Sequence, residues 1–122
     1  MSFHHSAEDI RIEDNHILVA QLMAEDGEMR ESFIDLDNFI GNNNGSFEWD
    51  GQNFSNSASD VRFEIEGGAD VPVLRAMLIN IEDELVDADI NLAERIVNDK
   101  GDLVFQKLVR VLTTLTWRTL LN

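Results

Sequence analysis

Residues 34–49, IDLDNFIGNNNGSFEW, return in degenerate form at residues 90–105 as INLAERIVNDKGDLVF. Both stretches read Ile-x-Leu, an apolar residue four positions on, an Asn-rich or Asp-rich turn closed by Gly, and an apolar, aromatic run, at a constant offset of 56. Self-similarity at a fixed spacing marks a chain built from two like units. Upstream, FHHSAEDIRI at Phe3 returns as FSNSASDVRF at Phe54, with Phe3, Ser6, Ala7, Asp9 and Arg11 matching Phe54, Ser57, Ala58, Asp60 and Arg62 at an offset of 51. The offset reaches 56 by Ala20/Ala76 and Leu22/Leu78, so five residues are inserted between these anchors. The loop-like Glu66-Gly67-Gly68-Ala69-Asp70 is the natural place for them.

Within each half the period is nearer two than 3.6, which is the mark of strands. Ile10 and Ile12, Ile17 to Leu22, and Phe33 to Leu36 read as short strands separated by Glu13-Asp14-Asn15 and Glu25-Asp26-Gly27-Glu28. Asp26-Gly27 is a hairpin signal, because such a turn needs positive φ and Gly supplies it. Asp37 to Ile40 and Ala93 to Val97 are expected to be single helical turns, with Asp37 or Asn38 starting the first. Phe47-Glu48-Trp49 and Leu103-Val104-Phe105 alternate again. The expected class is all-β with short helical turns, formed by two pseudo-symmetric repeats at about 1–50 and 51–106.

At 122 residues the chain suits one domain with a shared core, since half that length is marginal alone. Residues 1–105 carry a net charge of −18, against +3 for residues 106–122. An acidic body repels nucleic acid and anionic lipid, so neither is an expected partner. Cys is absent, which suits a reducing compartment. MSFHHSAEDIR has neither a basic start nor an apolar run, so no signal peptide is expected and the localisation expected is cytoplasmic. The tail QKLVRVLTTLTWRTLLN belongs to neither repeat; residues 107–122 are read as a dispensable extension, with a membrane or partner helix as the alternative.

Catalytic chemistry finds no pattern here. There is no H-E-x-x-H, no phosphate loop and no nucleophile spacing, so the chain is not expected to be an enzyme and no cofactor or metal is expected. His4 and His5 are read as lying in the opening strand, one turned inward and one outward, and the pair Asp35/Asp37 as turn and cap residues. Placing Gly45 at the sixth position of a calcium loop puts Ile40 first and Gly51 twelfth, and neither can ligate as that loop requires. What remains is a run of amides and hydroxyls: Asn42, Asn43, Asn44, Gln52, Asn53, Asn56 and Ser57. A carboxamide both donates and accepts, as a pair of sugar hydroxyls demands. Turn geometry alone also accounts for Asn and Gly in such places.

The order F-x-x-S-A-x-D, I-D-L, I-x-N-x-x-G-S-F-x-W, N-F-x-x-S, I-N-L and x-N-x-x-G-x-L-x-F resembles the cyanovirin-N homology family of lectins, fungal members in particular, over residues 2–105. The resemblance implies two lobes, each with a three-stranded sheet and a hairpin, and segments exchanged between the repeats. It implies recognition of mannose-containing oligosaccharides, typically α1,2-linked mannose, at one shallow site per lobe. The first site would draw on Gly41, Asn42, Asn44, Gln52, Asn53, Asn56 and Ser57, with Asn80, Ile81, Glu82 and Asp83 from the facing hairpin. The second would combine Ser2, Phe3, His5 and Ser6 with Met23, Glu25, Asn98, Asp99 and Lys100.

Where the founding member has disulfides, this chain has Ala7 with Leu22 and Ala58 with Leu78, so apolar packing is expected to replace each bridge. The family's turn carries an acid before its Gly; Asn44 keeps an acceptor there, whereas Lys100 offers donors alone. With Met23 also replacing a polar residue, the Asn42/Asn44 lobe is the preferred site. Asn44-Gly45-Ser46 and Asn53-Phe54-Ser55 are glycosylation sequons inside that site, which also favours the cytoplasm. A flexible Asp50-Gly51 link makes a closed monomer the expected form and a domain-swapped dimer the alternative. The rival function is a degenerate lectin scaffold whose acidic face binds a protein.

Overall fold

The computed structural model describes residues 3–67 and 70–107; the reading of residues 108–122 as a dispensable tail lies outside them. Ten strands run in order: β1 (Ala7–Glu13), β2 (Ile17–Met23), β3 (Met29–Asp35), β4 (Ile40–Asn43), β5 (Ser46–Trp49), β6 (Ala58–Glu66), β7 (Val71–Ile79), β8 (Leu85–Asn91), β9 (Ile96–Asp99) and β10 (Asp102–Phe105). Short 3-10 turns occupy Phe3–Ser6, Leu36–Asn38, Phe54–Ser57 and Leu92–Glu94. The strands form two antiparallel three-stranded sheets, β1-β2-β3 and β6-β7-β8, and two hairpins, β4-β5 and β9-β10. All-β with short helical turns is therefore the class observed.

Segments cross between the repeats. The β4-β5 hairpin of the first repeat packs on β8 of the second, and β10 packs on β3 of the first, where Leu103 N donates to Ser32 Oγ at 3.0 Å. One apolar core runs through both halves: Phe3, Leu18, Leu22, Leu36, Phe54, Leu74 and Leu92 are fully buried together. Ala7 lies opposite Leu22 and Ala58 opposite Leu78, so apolar pairs do occupy the two expected places.

The shared Asp-x-Arg phrase has a structural cause. Each opening strand bulges, between Glu8 and Arg11 and between Ser59 and Arg62, with Asp9 and Asp60 at φ 54°. The Arg two residues on fastens the bulge: Nη1 of Arg11 donates to Asp9 O and Oδ2 at 3.1 and 2.8 Å, and Nη1 of Arg62 to Asp60 O and Oδ2 at 3.1 and 2.9 Å. The five extra residues are not a loop. They lengthen β6 and β7 from seven residues to nine each and the intervening turn by one, which extends the hairpin.

Local expectations need correction at four places. Phe3–Ser6 is a 3-10 turn and not a strand, which seats Phe3 in the core and leaves His4 partly covered beside an exposed His5. The helical turns begin earlier than read, at Leu36 and Leu92, because Asp35 and Asn91 are their caps, accepting from Asp37 N and Ala93 N. Asp37 instead accepts from Ser55 N and Oγ, at 3.0 and 2.5 Å. Finally, the Asp50-Gly51 link is pinned. Asp50 N donates to Phe39 O and Asn53 N to Asp37 O, each at 2.8 Å, and Gly51 lies so close to Gly41 that a Cβ would come within 2.8 Å of its backbone.

Candidate functional site

Two equivalent clamps organise the ends of the molecule. Asn42 on β4 donates through Nδ2 to Ser57 Oγ at 2.7 Å and to Ile79 O at 2.8 Å, and its Oδ1 accepts from Gly45 N at 2.8 Å. At the other end Asn98 on β9 donates to Ser6 Oγ at 3.1 Å and to Met23 O at 3.2 Å, while its Oδ1 accepts from Gly101 N at 2.8 Å. Each amide thus ties its own turn, a 3-10 turn and a facing hairpin into one platform. Both Nδ2 hydrogens of Asn42 are engaged, so its side chain keeps only acceptor capacity on Oδ1.

Around Asn42 the turn docks closely. Gly45, at φ +88°, faces β8 so tightly that a Cβ would lie 2.5 Å from Val86 Cγ2. Asn44 (φ 53°) is exposed and accepts from Ile81 N at 3.0 Å through Oδ1, and its Nδ2 makes no hydrogen bond among the described residues. Asn80 Oδ1 accepts from Glu82 N and Glu84 N at 2.9 and 3.0 Å, which fixes the facing tip. Asn53 and Asn56 are exposed, and their amides make no side-chain hydrogen bond among the described residues. Glu82 and Asp83 are exposed, and Ile81 is 83% exposed.

Not every expected residue joins this group. Gly41 is buried beneath the link, where a Cβ would meet Gln52 N at 3.0 Å. Gln52 lines a different cleft of about 390 Å³, between the lobes, with Asn38, Phe39, Asp50, Gly51, Phe105 and Lys107. In the second lobe Phe3 is fully buried, so its ring belongs to the core and not to a ligand surface. Ser2 lies outside the described residues. His5, Glu25, Asp99 and Lys100 are exposed and Met23 is 44% exposed, while Ser6 is held by Asn98. Lys100 (φ 59°) stands where Asn44 stands and has no acceptor to offer the hairpin opposite. Asn98 and Asp99 border a cleft of about 450 Å³ with Val97, Val104 and Gln106.

Sequence reasoning missed two side-chain groups. Arg95 is buried, its Nη2 3.1 Å from Asp50 Oδ2 and its guanidinium over the rings of Trp49 and Phe105. His16 meets Asp35 and Asp37, and the hydrogen bond with Asp35 raises its pKa above the usual imidazole value. Arg95 could not be found from composition, since nothing in the chain marks a buried charge. The histidine cluster draws on positions 16, 35 and 37, which only the paired strands bring together.

A pair of lobes with crossed hairpins, each carrying the same amide-clamped turn, is the architecture of the CVNH domain family, whose model matches residues 3–104; the chain belongs to that family. Its relatives include the cyanovirin-N homolog of Neurospora crassa, 50% identical over 106 residues, which span 84% of this chain and 96% of that protein. The solution structure of the Gibberella zeae CVNH protein is 48% identical, with a TM-score of 0.79 over 86% of this chain and 97% of that one. Microvirin, solved in complex with mannobiose, is 28% identical with a TM-score of 0.75 over 85% of this chain and 97% of its own.

Proposed function

We propose that this protein is a non-enzymatic lectin for mannose-containing oligosaccharides, with α1,2-linked mannose its preferred ligand and the Asn44 lobe its better site. The observation that carries the reading is the Asn42 clamp, which ties three segments together beside the exposed side chains of Asn44, Asn53 and Asn56, whose amide donors are unused among the described residues. A neutral sugar offers vicinal hydroxyls, and each net hydrogen bond contributes only about 0.5–1.5 kcal/mol, so several groups must be fixed before the ligand arrives. Asn44, Asn53 and Asn56 would supply the donors, Glu82 and Asp83 the acceptors, and the backbone of residues 80–83 the orientation. Asn42 and Gly41 would position these groups and not grip the sugar with amide donors. Likeness to microvirin, a mannobiose complex, supports the sugar class. Lys100 in place of Asn44 makes the second lobe the weaker one.

An NMR titration with α1,2-mannobiose tests the reading. Amide shifts clustered at residues 42–57 and 80–83, insensitive to salt, are the expected result. Shifts confined to residues 3–6, 23–25 and 98–101 would reverse the choice of lobe. No shifts at millimolar sugar, with chitotetraose equally silent, would overturn the lectin function.

A further inference from the structure

His16, Asp35 and Asp37 meet where β2 begins, β3 ends and the following 3-10 turn starts. His16 Nδ1 lies 2.7 Å from Asp35 Oδ1 and 3.6 Å from Asp37 Oδ2, and one ligand atom from each of the three lies within 4.8 Å of the others. Their side chains are 28%, 38% and 14% exposed, sheltered enough to compete with bulk water yet open to one or two waters. All three are braced from behind. His16 is fixed by its backbone, its O accepting from Leu36 N at 2.8 Å. Asp35 Oδ1 accepts from Asp37 N at 3.0 Å, and the carboxylate of Asp37 takes the amide and hydroxyl of Ser55. Partners of this kind orient metal-binding carboxylates and raise their affinity.

The second repeat provides an internal control. At the same corner, 56 residues on, Pro72, Asn91 and Ala93 replace His16, Asp35 and Asp37. The backbone does not notice: Asn91 caps its turn at φ −81°, ψ 107°, against −85°, 105° for Asp35. The turn therefore needs neither the imidazole nor the second carboxylate.

We propose that His16, Asp35 and Asp37 form a binding site for a divalent transition-metal ion of the zinc class, its coordination completed by water. An imidazole nitrogen beside two carboxylate oxygens suits zinc, nickel or cobalt and disfavours magnesium and calcium, which prefer oxygen alone. Three protein ligands and an open position match zinc's four-coordinate habit. Tetrahedral ligands at about 2.0–2.2 Å from a common ion stand about 3.3–3.6 Å apart, which is the present spacing of Nδ1 and Asp37 Oδ2 at 3.6 Å, so Asp37 keeps its Ser55 bonds while Asp35 Oδ1 draws back from its hydrogen-bond distance of 2.7 Å to admit the ion. Coordination through Nδ1 displaces the proton there; it moves to Nε2 of a neutral ring or is released from an imidazolium.

Calorimetry of the untagged full chain with ZnCl₂, together with NMR of the imidazole resonances, tests this. One ion per chain is expected, with the His16 ring shifted and MgCl₂ unable to compete at equal concentration. H16Q should weaken binding at least about 10-fold, with an unchanged circular dichroism spectrum establishing that the fold remains; D37N should do the same. The double variant H4Q/H5Q, which removes the partly covered His4 and the exposed His5, their ring centroids 4.2 Å apart, should bind as the parent does. No uptake, or uptake that survives H16Q and disappears in H4Q/H5Q, would overturn the site.

Discussion

Asp50, in the segment that joins the repeats, lies 3.1 Å from Arg95 Nη2, and Arg95 is the one charged residue in the interior among the described residues. The first repeat thus ends on the counter-charge of a cation that the second repeat buries. Removing Asp50 strands that cation, whereas removing Arg95 frees Asp50 to solvate, since its carboxylate is 63% exposed. Asp50→Ala should destabilise by about 1–2 kcal/mol, below the usual cost for a fully buried pair because water reaches one partner. Arg95→Met, which keeps contact with Trp49 and Phe105, should cost less. Urea midpoints of the two variants decide it; equal losses would mean that packing and not charge sets the junction.

The amide clamps predict a division between stability and binding. Asn42→Ala removes three hydrogen bonds and should cost about 2–3 kcal/mol, lowering the melting temperature and sugar affinity together. Asn53→Ala and Asn56→Ala should leave the melting temperature within a degree or two and reduce affinity alone. Thermal unfolding beside mannobiose titration reads both; a stable Asn42→Ala protein would refute the clamp.

Gly45 and Gly27 share a positive φ, +88° and +85°, but differ in what surrounds them. A methyl at Gly27 meets nothing, so Gly27→Ala should cost only the left-handed strain of about 1–2 kcal/mol. At Gly45 the same methyl meets Val86, and Gly45→Ala should cost more while displacing the turn from β8. Truncating Val86 to Ala in the Gly45→Ala background should recover part of the loss. Failure to recover any would show that backbone strain is the whole effect.

Acid sensitivity should follow Glu66. A hydrogen bond from Arg75 holds its pKa down to about 2, from an ordinary 4.5. A depressed carboxylate contributes stability that is present above the unfolded value and lost as pH falls through the folded one. The parent should therefore lose stability between about pH 4.5 and pH 2, and Glu66→Gln should flatten that limb while lowering stability at neutral pH. Melting temperatures across that range test the assignment.

The strands were legible from their period of two and the turns between them, whereas the facing of Ala7 with Leu22 and of Ala58 with Leu78 followed from the resemblance to the cyanovirin-N homology family, whose founding member has disulfides there. The short 3-10 turns were not, since Phe3-His4-His5-Ser6 alternates as a strand would and only core packing of Phe3 selects the tighter turn. Asn42 was visible as an amide, but its bond to Ile79 lies 37 positions away. A sequence names a donor without its acceptor. The link looked flexible because Asp50-Gly51 is turn chemistry; its pins are Phe39 O, the surface of Gly41 and Arg95, all supplied by tertiary folding.

The crossed hairpins have a consequence for how the chain could be divided. Each repeat lays its hairpin on the other repeat's sheet, so a polypeptide ending near Gly51 would carry a sheet lacking its lid and a lid lacking its sheet. Cleavage at the link should accordingly yield two fragments that remain bound as a complementing pair, each insoluble or unstructured alone. Expression of either fragment by itself, followed by mixing, would show whether structure appears only when both are present.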